Sequence, residues 1–286
     1  VAGAFMAAAV FWFVELFARH GRWHSLLLGA VTLLGVGASN SRAAFIALIA
    51  GSVWLAVLRA WRTLGVIGGL LAAGLAVLIV HAGVTDRPFT STPIYRIYES
   101  AASIVDVQSA RLYESTDLGD KSDNNQFRIV WWRVIAEETW KESRWFGLGF
   151  GYDLANEFLR VYYADAIDDF SARSPHNFLM SAFARTGIIG FVLLLAVLVA
   201  LTRRTWRCAS PQAPYADDAR PLWLAAWAVF ASACFGVVLE GPMGAVVFWI
   251  ILGLANSGRT GGSLTESPVF VAAERENSRV FETSAP

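Results

Sequence analysis

Charge is what this sequence has least of. Only 16% of its 286 residues are Asp, Glu, Lys or Arg, against about 25% in an ordinary soluble domain. With 56% hydrophobic residues and a mean hydropathy of +0.48, that scarcity excludes a single water-soluble domain and a disordered chain. An excess of one sign is missing too. The 23 basic and 23 acidic residues cancel, so no global basic surface points to nucleic acid. Cysteine is nearly absent: Cys208 and Cys234 make no disulfide framework and read as unpaired and inert. No CxxC or HExxH pattern occurs, so neither a metal site nor a cofactor is expected. No basic stretch precedes the first apolar run, which makes it a poor signal peptide. With Val1 at its start, the sequence reads as the C-terminal fragment of a longer protein.

What is present is a series of long apolar runs. A bilayer core takes about 20 apolar residues per helix, with a range of about 17 to 25. Seven segments qualify or come close: Val1–Ala18, Trp23–Ala38, Ala43–Leu58, Leu64–Val84, Phe178–Thr202, Leu222–Leu239 and Met243–Asn256. The fold class is therefore an all-α polytopic membrane protein. Four spans lie in residues 1–84, a large loop region in 85–174, three spans in 175–257 and a disordered tail in 258–286. Glu240-Gly241-Pro242 reads as a tight turn between the last two spans. Orientation follows from the short loops. Arg19 and Arg22, Arg59 and Arg62, and Arg203, Arg204 and Arg207 mark three alternate loops as cytoplasmic. The Ser39–Arg42 turn, the long loop and the Glu240 turn then face the periplasm. From Asp86 to Arg173 there are 15 acidic and 10 basic residues, a net charge that agrees.

The long loop is too long for a plain connector and reads as mostly helical. One helix is expected over Asn124–Glu142, with Asp123 as N-cap and Arg133, Glu137 and Lys141 paired at i,i+4. A weaker one is expected over Ile94–Tyr113 and a third over Tyr152–Tyr163. Trp131, Trp132, Trp140 and Trp145 read either as anchors at the headgroup level or core residues, or as sugar-stacking platforms.

Several residues are candidates for chemistry. Arg42 places a permanent, planar cation at the outer end of a span, suited to a phosphate; the alternative is a snorkelling or paired arginine. Arg128 is a second such cation, or a salt-bridge partner. In Ser174-Pro175-His176-Asn177, Ser174 reads as an N-cap with Pro175 at the first helical position. His176 then falls in the first turn, where the helix dipole favours a neutral imidazole able to accept a proton. Arg173 and Arg185 flank it as further cations, and Glu240 stands at the outer end of the sixth span. Gly147-Leu148-Gly149-Phe150-Gly151 lacks the spacing and the preceding strand of a dinucleotide loop. Asp165, Asp168 and Asp169 read as a solvated acidic face.

Taken in order, these features resemble a known family. They are Ser39-Asn40-Ser41-Arg42-Ala43, then Arg128-Ile129-Val130-Trp131-Trp132, then Trp145 to Gly151, then His176-Asn177-Phe178-Leu179 with Gly187-Ile188-Ile189-Gly190. The pattern looks like the O-antigen ligase and Wzy-type polymerase superfamily of bacterial envelope glycosyltransferases, over about Ser39 to Phe191. The resemblance implies an inner-membrane enzyme with a periplasmic active face, metal-independent and inverting. It implies transfer of a glycan from undecaprenyl diphosphate to a hydroxyl of lipid A core, another glycan or a protein, with membrane lipid around it. It assigns Arg42 and Arg128 to the diphosphate and His176 to acceptor activation. Where many members carry an acidic residue before the Gly-x-x-Gly stretch, this chain has Arg185. The family's larger number of spans implies that part of the protein precedes Val1.

A ligase and a polymerase of lipid-linked repeat units both fit these residues. Two other classes make different demands. A transporter should show ionisable groups at mid-membrane or internal repeats, whereas Glu15 lies near a span end within reach of Arg19. A non-catalytic scaffold would tolerate loss of Arg42, Arg128 and His176 together.

Overall fold

A computed structural model describes residues 2–39, 41–85, 116–162, 174–210 and 216–257, with Tyr95, Tyr98 and Ala102. Among them are nine helices and no strand, as the all-α reading expects. They are α1 (Ala2–His20), α2 (Trp23–Ala38), α3 (Arg42–Val57), α4 (Trp61–Thr85), α5 (Thr116–Ser143), α6 (Asn156–Tyr162), α7 (Phe178–Ala209), α8 (Ala216–Ala233) and α9 (Pro242–Asn256). Three are long and apolar enough to cross a membrane: α1, α4 over Trp61–His81, and α7. Helices α2, α3 and α9 are also apolar but shorter.

Helices α1 and α8 form the centre. The first packs on α2, α3, α4 and α8; the second also meets α3, α7 and α9. The sequence explains why. On α8, Trp223, Leu224, Ala225, Ala226, Ala228 and Val229 are all buried, and a helix apolar on every side belongs inside. On α1, Ala4, Ala7, Ala8, Phe11 and Val14 are buried. Small residues let the helices approach closely: a Cβ on Gly51 would run into the Phe11 ring. The outer helices invert the pattern of a soluble protein. Leu71, Leu75, Val77, Ile79 and Val80 of α4, and Val192, Leu193 and Val197 of α7, are exposed. An apolar surface this extensive needs a lipid cover.

One charged cluster lies inside. Glu15 is fully buried and accepts from Arg19 Nε at 3.0 Å, from Thr63 Oγ1 at 2.8 Å and from Arg220 Nη1 at 3.4 Å. Arg220 Nε also donates to the Ala209 carbonyl at 3.1 Å. The last turns of α1 and α7 and the first turns of α4 and α8 are thus tied together at one end of the bundle.

Several boundaries differ from those expected. Helix α5 starts at Thr116, so Asp123 is inside it rather than capping it. Helix α6 starts only at Asn156, because the Asp153 side chain accepts from Ala155 N at 3.0 Å and holds a turn first. The sixth expected span ends at Ala233, not Leu239. Residues 234–241 form an irregular connection in place of the short Glu240 turn. There the Phe235 carbonyl, freed from the helical ladder, is taken by a side chain from α5. The fifth expected span runs on to Ala209, because Thr205 and Ala209 remain buried while Arg204 turns outward to bond Asn256. The helix expected over Ile94–Tyr113 lies, but for Tyr95, Tyr98 and Ala102, outside the described residues. So do the Asp165–Asp169 cluster and the tail. Cys208 and Cys234 are free.

Candidate functional site

The site lies at the end of the bundle opposite Glu15. A Cβ on Gly3 would stand 2.9 Å from Ala44 Cβ and 3.1 Å from Ser39 Oγ. The start of α1, the end of α2 and the start of α3 therefore meet. A Cβ on Gly236 would stand 3.7 Å from Ala43 Cβ, which brings the α8–α9 connection to the same place. Arg128 of α5 then donates from Nη1 to the Phe235 carbonyl at 3.2 Å. Arg42, the first residue of α3, is close to Arg128. The Arg128 pKa is lowered by burial and, second, by the charge of Arg42. The Ser41 side chain makes no cap bond to α3, whose first N–H groups add to the positive potential. Two arginines 86 positions apart thus share one end with a helix N-terminus.

The same helix reaches the histidine segment. Trp132, four residues after Arg128 and on the same face, donates from Nε1 to the Pro175 carbonyl at 2.7 Å. The segment differs from the expected helix start. Asn177, not Ser174, caps α7: its side chain accepts from Met180 N at 3.1 Å. Ser174 serves a different turn, its Oγ accepting from His176 N at 3.3 Å. His176 therefore precedes the helix and adopts a left-handed backbone with φ 55°, which costs a non-glycine residue roughly 1–2 kcal/mol. Its Nδ1 lies 2.7 Å from the Ser174 carbonyl. A carbonyl only accepts, so Nδ1 carries the proton, and in the neutral ring Nε2 is the free acceptor. Glu240 reaches this region at 3.5 Å from Ser181 Oγ on the first turn of α7.

Arg185 is occupied elsewhere. Its Nη1 donates to the carbonyls of Phe150 at 2.8 Å, Gly149 at 3.2 Å and Tyr152 at 3.4 Å. It clamps the glycine loop instead of facing the arginine pair. From the other side the Tyr152 hydroxyl donates to Glu138, a bond that with burial pushes its pKa up to about 12. Arg173 lies outside the described residues. Among them, no three His, Cys, Asp or Glu side chains come together as metal ligands.

The glycine loop is built into α7. At Gly187 the helix breaks, with φ 65° and ψ −162°. The interruption frees two carbonyls and two N–H groups, and all four are satisfied by the loop. Leu148 N donates to Ala184 O at 2.7 Å and Gly149 N to Arg185 O at 3.2 Å. In return, Ile188 N donates to Arg144 O at 2.8 Å and Ile189 N to Trp145 O at 3.2 Å. Gly147 and Gly187 are pressed backbone to backbone. This explains the two glycine patterns, which the sequence shows only as separate motifs.

Of the four loop tryptophans, Trp131 is core. It stacks on Phe158 at 5.4 Å and donates to the Leu154 carbonyl at 2.8 Å. Trp132 is half-buried, and its indole N–H is taken by the Pro175 carbonyl. Trp140 and Trp145 are exposed. Reading the sequence misses the Phe235 carbonyl and the Trp132 bond, which leave no sequence signal. It also misses the Asn177 cap, although an Asn directly before Phe178-Leu179 is such a signal.

Residues 24–195 match the O-antigen ligase family model. That is more than half of the chain, and the chain belongs to the O-antigen ligase family, a group of membrane glycosyltransferase-like ligases and polymerases. No curated protein matches it.

Proposed function

We propose that this protein transfers a glycan from undecaprenyl diphosphate to an acceptor hydroxyl at the periplasmic face of the bacterial inner membrane. The observation that carries the reading is the meeting of Arg42 and Arg128 at the end of the bundle to which α5 also ties the His176 segment. Two cations brought together at a helix N-terminus favour a dianionic ligand, and a diphosphate supplies one. In the reaction, Nε2 of His176 accepts the acceptor hydroxyl's proton as its oxygen attacks the anomeric carbon. The glycosyl–phosphate bond breaks, configuration inverts, and the leaving diphosphate's growing charge is neutralised by the two guanidinium groups. These residues supply charge neutralisation without a metal. The orientation rests on the arginine-bearing loops. They fall at the Glu15 end, and the positive-inside rule makes that end cytoplasmic. The seven-span arrangement follows if the shorter helices α2, α3 and α9, together with α8, also cross.

The test is a transfer assay on the intact protein in detergent, with an undecaprenyl-diphosphate glycan, candidate acceptors and EDTA. Transfer should survive EDTA. Arg128→Ala and Arg42→Ala should each cost about a hundredfold in kcat/KM, the scale of losing one charge-stabilising group. His176→Ala should lower kcat by a similar factor with the donor KM little changed. The acceptor used separates a ligase from a polymerase. Undiminished transfer by folded variants would remove the assignment.

A further inference from the structure

We infer that Trp132 is a positioning residue for His176, acting through the carbonyl of Pro175. This rests on the reading of His176 as the acceptor-activating group. A left-handed backbone at a non-glycine residue persists only where its surroundings over-determine it, and here they do. Ser174 binds the residue twice, by Oγ to its N–H and by its carbonyl to Nδ1. Asn177 fixes the chain on the other side by capping α7. These bonds are local and set only the shape of the segment. The bond from Trp132 Nε1 to Pro175 O, at 2.7 Å across 43 residues, is the long-range hydrogen bond among the described residues that ties the segment to the rest of the bundle.

Its origin makes it functional as well as structural. Arg128 and Trp132 lie one turn apart on one face of α5. The rigid helix therefore carries the diphosphate-side cation and the histidine's tether at a fixed separation. A shift of α5 moves both, and loss of the tether lets the histidine drift while the cation stays. Proton transfer demands hydrogen-bond reach, so drift of about 1 Å costs rate before it costs donor binding.

The test replaces the indole N–H with the least disturbance, using Trp132→Phe and, separately, benzothienylalanine at position 132, which keeps the bicyclic shape. Both are made in the intact protein in detergent micelles. Two readouts are taken: transfer kinetics, and nitrogen-15 spectra of labelled histidine, with the His176 signal assigned by its disappearance in His176→Ala. The expected result is a kcat about tenfold lower with donor KM and melting temperature near wild type. The His176 Nε2 signal should shift and broaden as the ring's surroundings vary, with Nδ1 still protonated because its Ser174 bond is local. Unchanged kcat, or a lower kcat with an unchanged His176 spectrum, would overturn the role of Trp132. A benzothienylalanine protein that melts far lower would make the bond purely structural and overturn it as well. If His176→Ala itself transfers normally, the functional reading fails, and the spectra still report separately whether Trp132 orders the ring.

Discussion

Gly187→Ala should leave little folded protein. Two costs add at this residue. The backbone at φ 65° and ψ −162° lies in a region that essentially only glycine adopts, and forcing alanine there costs about 1–3 kcal/mol. The added Cβ would also stand 2.5 Å from the carbonyl carbon and oxygen of Trp145 and 2.6 Å from Gly147 N. These are backbone atoms with no rotamer to yield. The loop must then separate from α7, exposing the four cross-bonds of Leu148, Gly149, Ile188 and Ile189 at about 1 kcal/mol each. A loss of about 4 kcal/mol or more is expected, enough to unfold a marginal domain. Gly149→Ala is the control. Its φ is also positive, at 85°, but nothing lies within 4 Å of its added Cβ, so only the backbone preference is charged, about 1–2 kcal/mol. Thermal unfolding in detergent, followed by tryptophan fluorescence, should place Gly187→Ala well below Gly149→Ala. Equal melting temperatures would mean that the loop and α7 are not interlocked.

That junction also shows what a sequence reading reaches. The apolar runs are visible because burial in lipid is a matter of composition over a window, and seven of the nine helices among the described residues fall on segments so read. The break in α7 is not visible. Apolar residues continue through Phe183, Ile188, Ile189 and Phe191, and a lone glycine in a helical pattern is ordinarily tolerated. Only the glycine loop at Arg144–Gly149, some forty residues away, makes the break favourable. The candidate site divides the same way. Arg42, Arg128 and His176 can be selected by residue type and position along the chain. That Arg185 is spent on three carbonyls, while Trp132 tethers Pro175, depends on contacts between segments distant in sequence. Residue chemistry is local and legible; which partner takes up a given donor is settled by packing.

Glu15→Gln should destabilise the protein strongly while leaving the activity of each folded molecule intact. The carboxylate pairs with both Arg19 and Arg220, whose side chains are only 12% and 10% exposed. Without it, both largely buried guanidinium groups lose their shared counter-charge, and breaking such a pair costs about 3–5 kcal/mol. Exchanging charges for well-packed apolar groups behaves differently. The double variant Glu15→Met with Arg220→Met removes the desolvated pair and leaves Arg19 close to the helix end, where its long stem can carry the charge to water. It should melt above Glu15→Gln. A double variant less stable than the single one would show that the ion cluster is net stabilising rather than a device for helix register. The functional half of the prediction follows from position. The cluster joins α1, α4, α7 and α8 at the end of the bundle away from Arg42, Arg128 and His176. Transfer by Glu15→Gln, normalised to the folded fraction, should therefore stay within about twofold of wild type, well short of a single power of ten at 1.4 kcal/mol. A large drop in normalised kcat with the donor KM unchanged would instead mean that strain at the Glu15 end passes along α7 to the histidine segment.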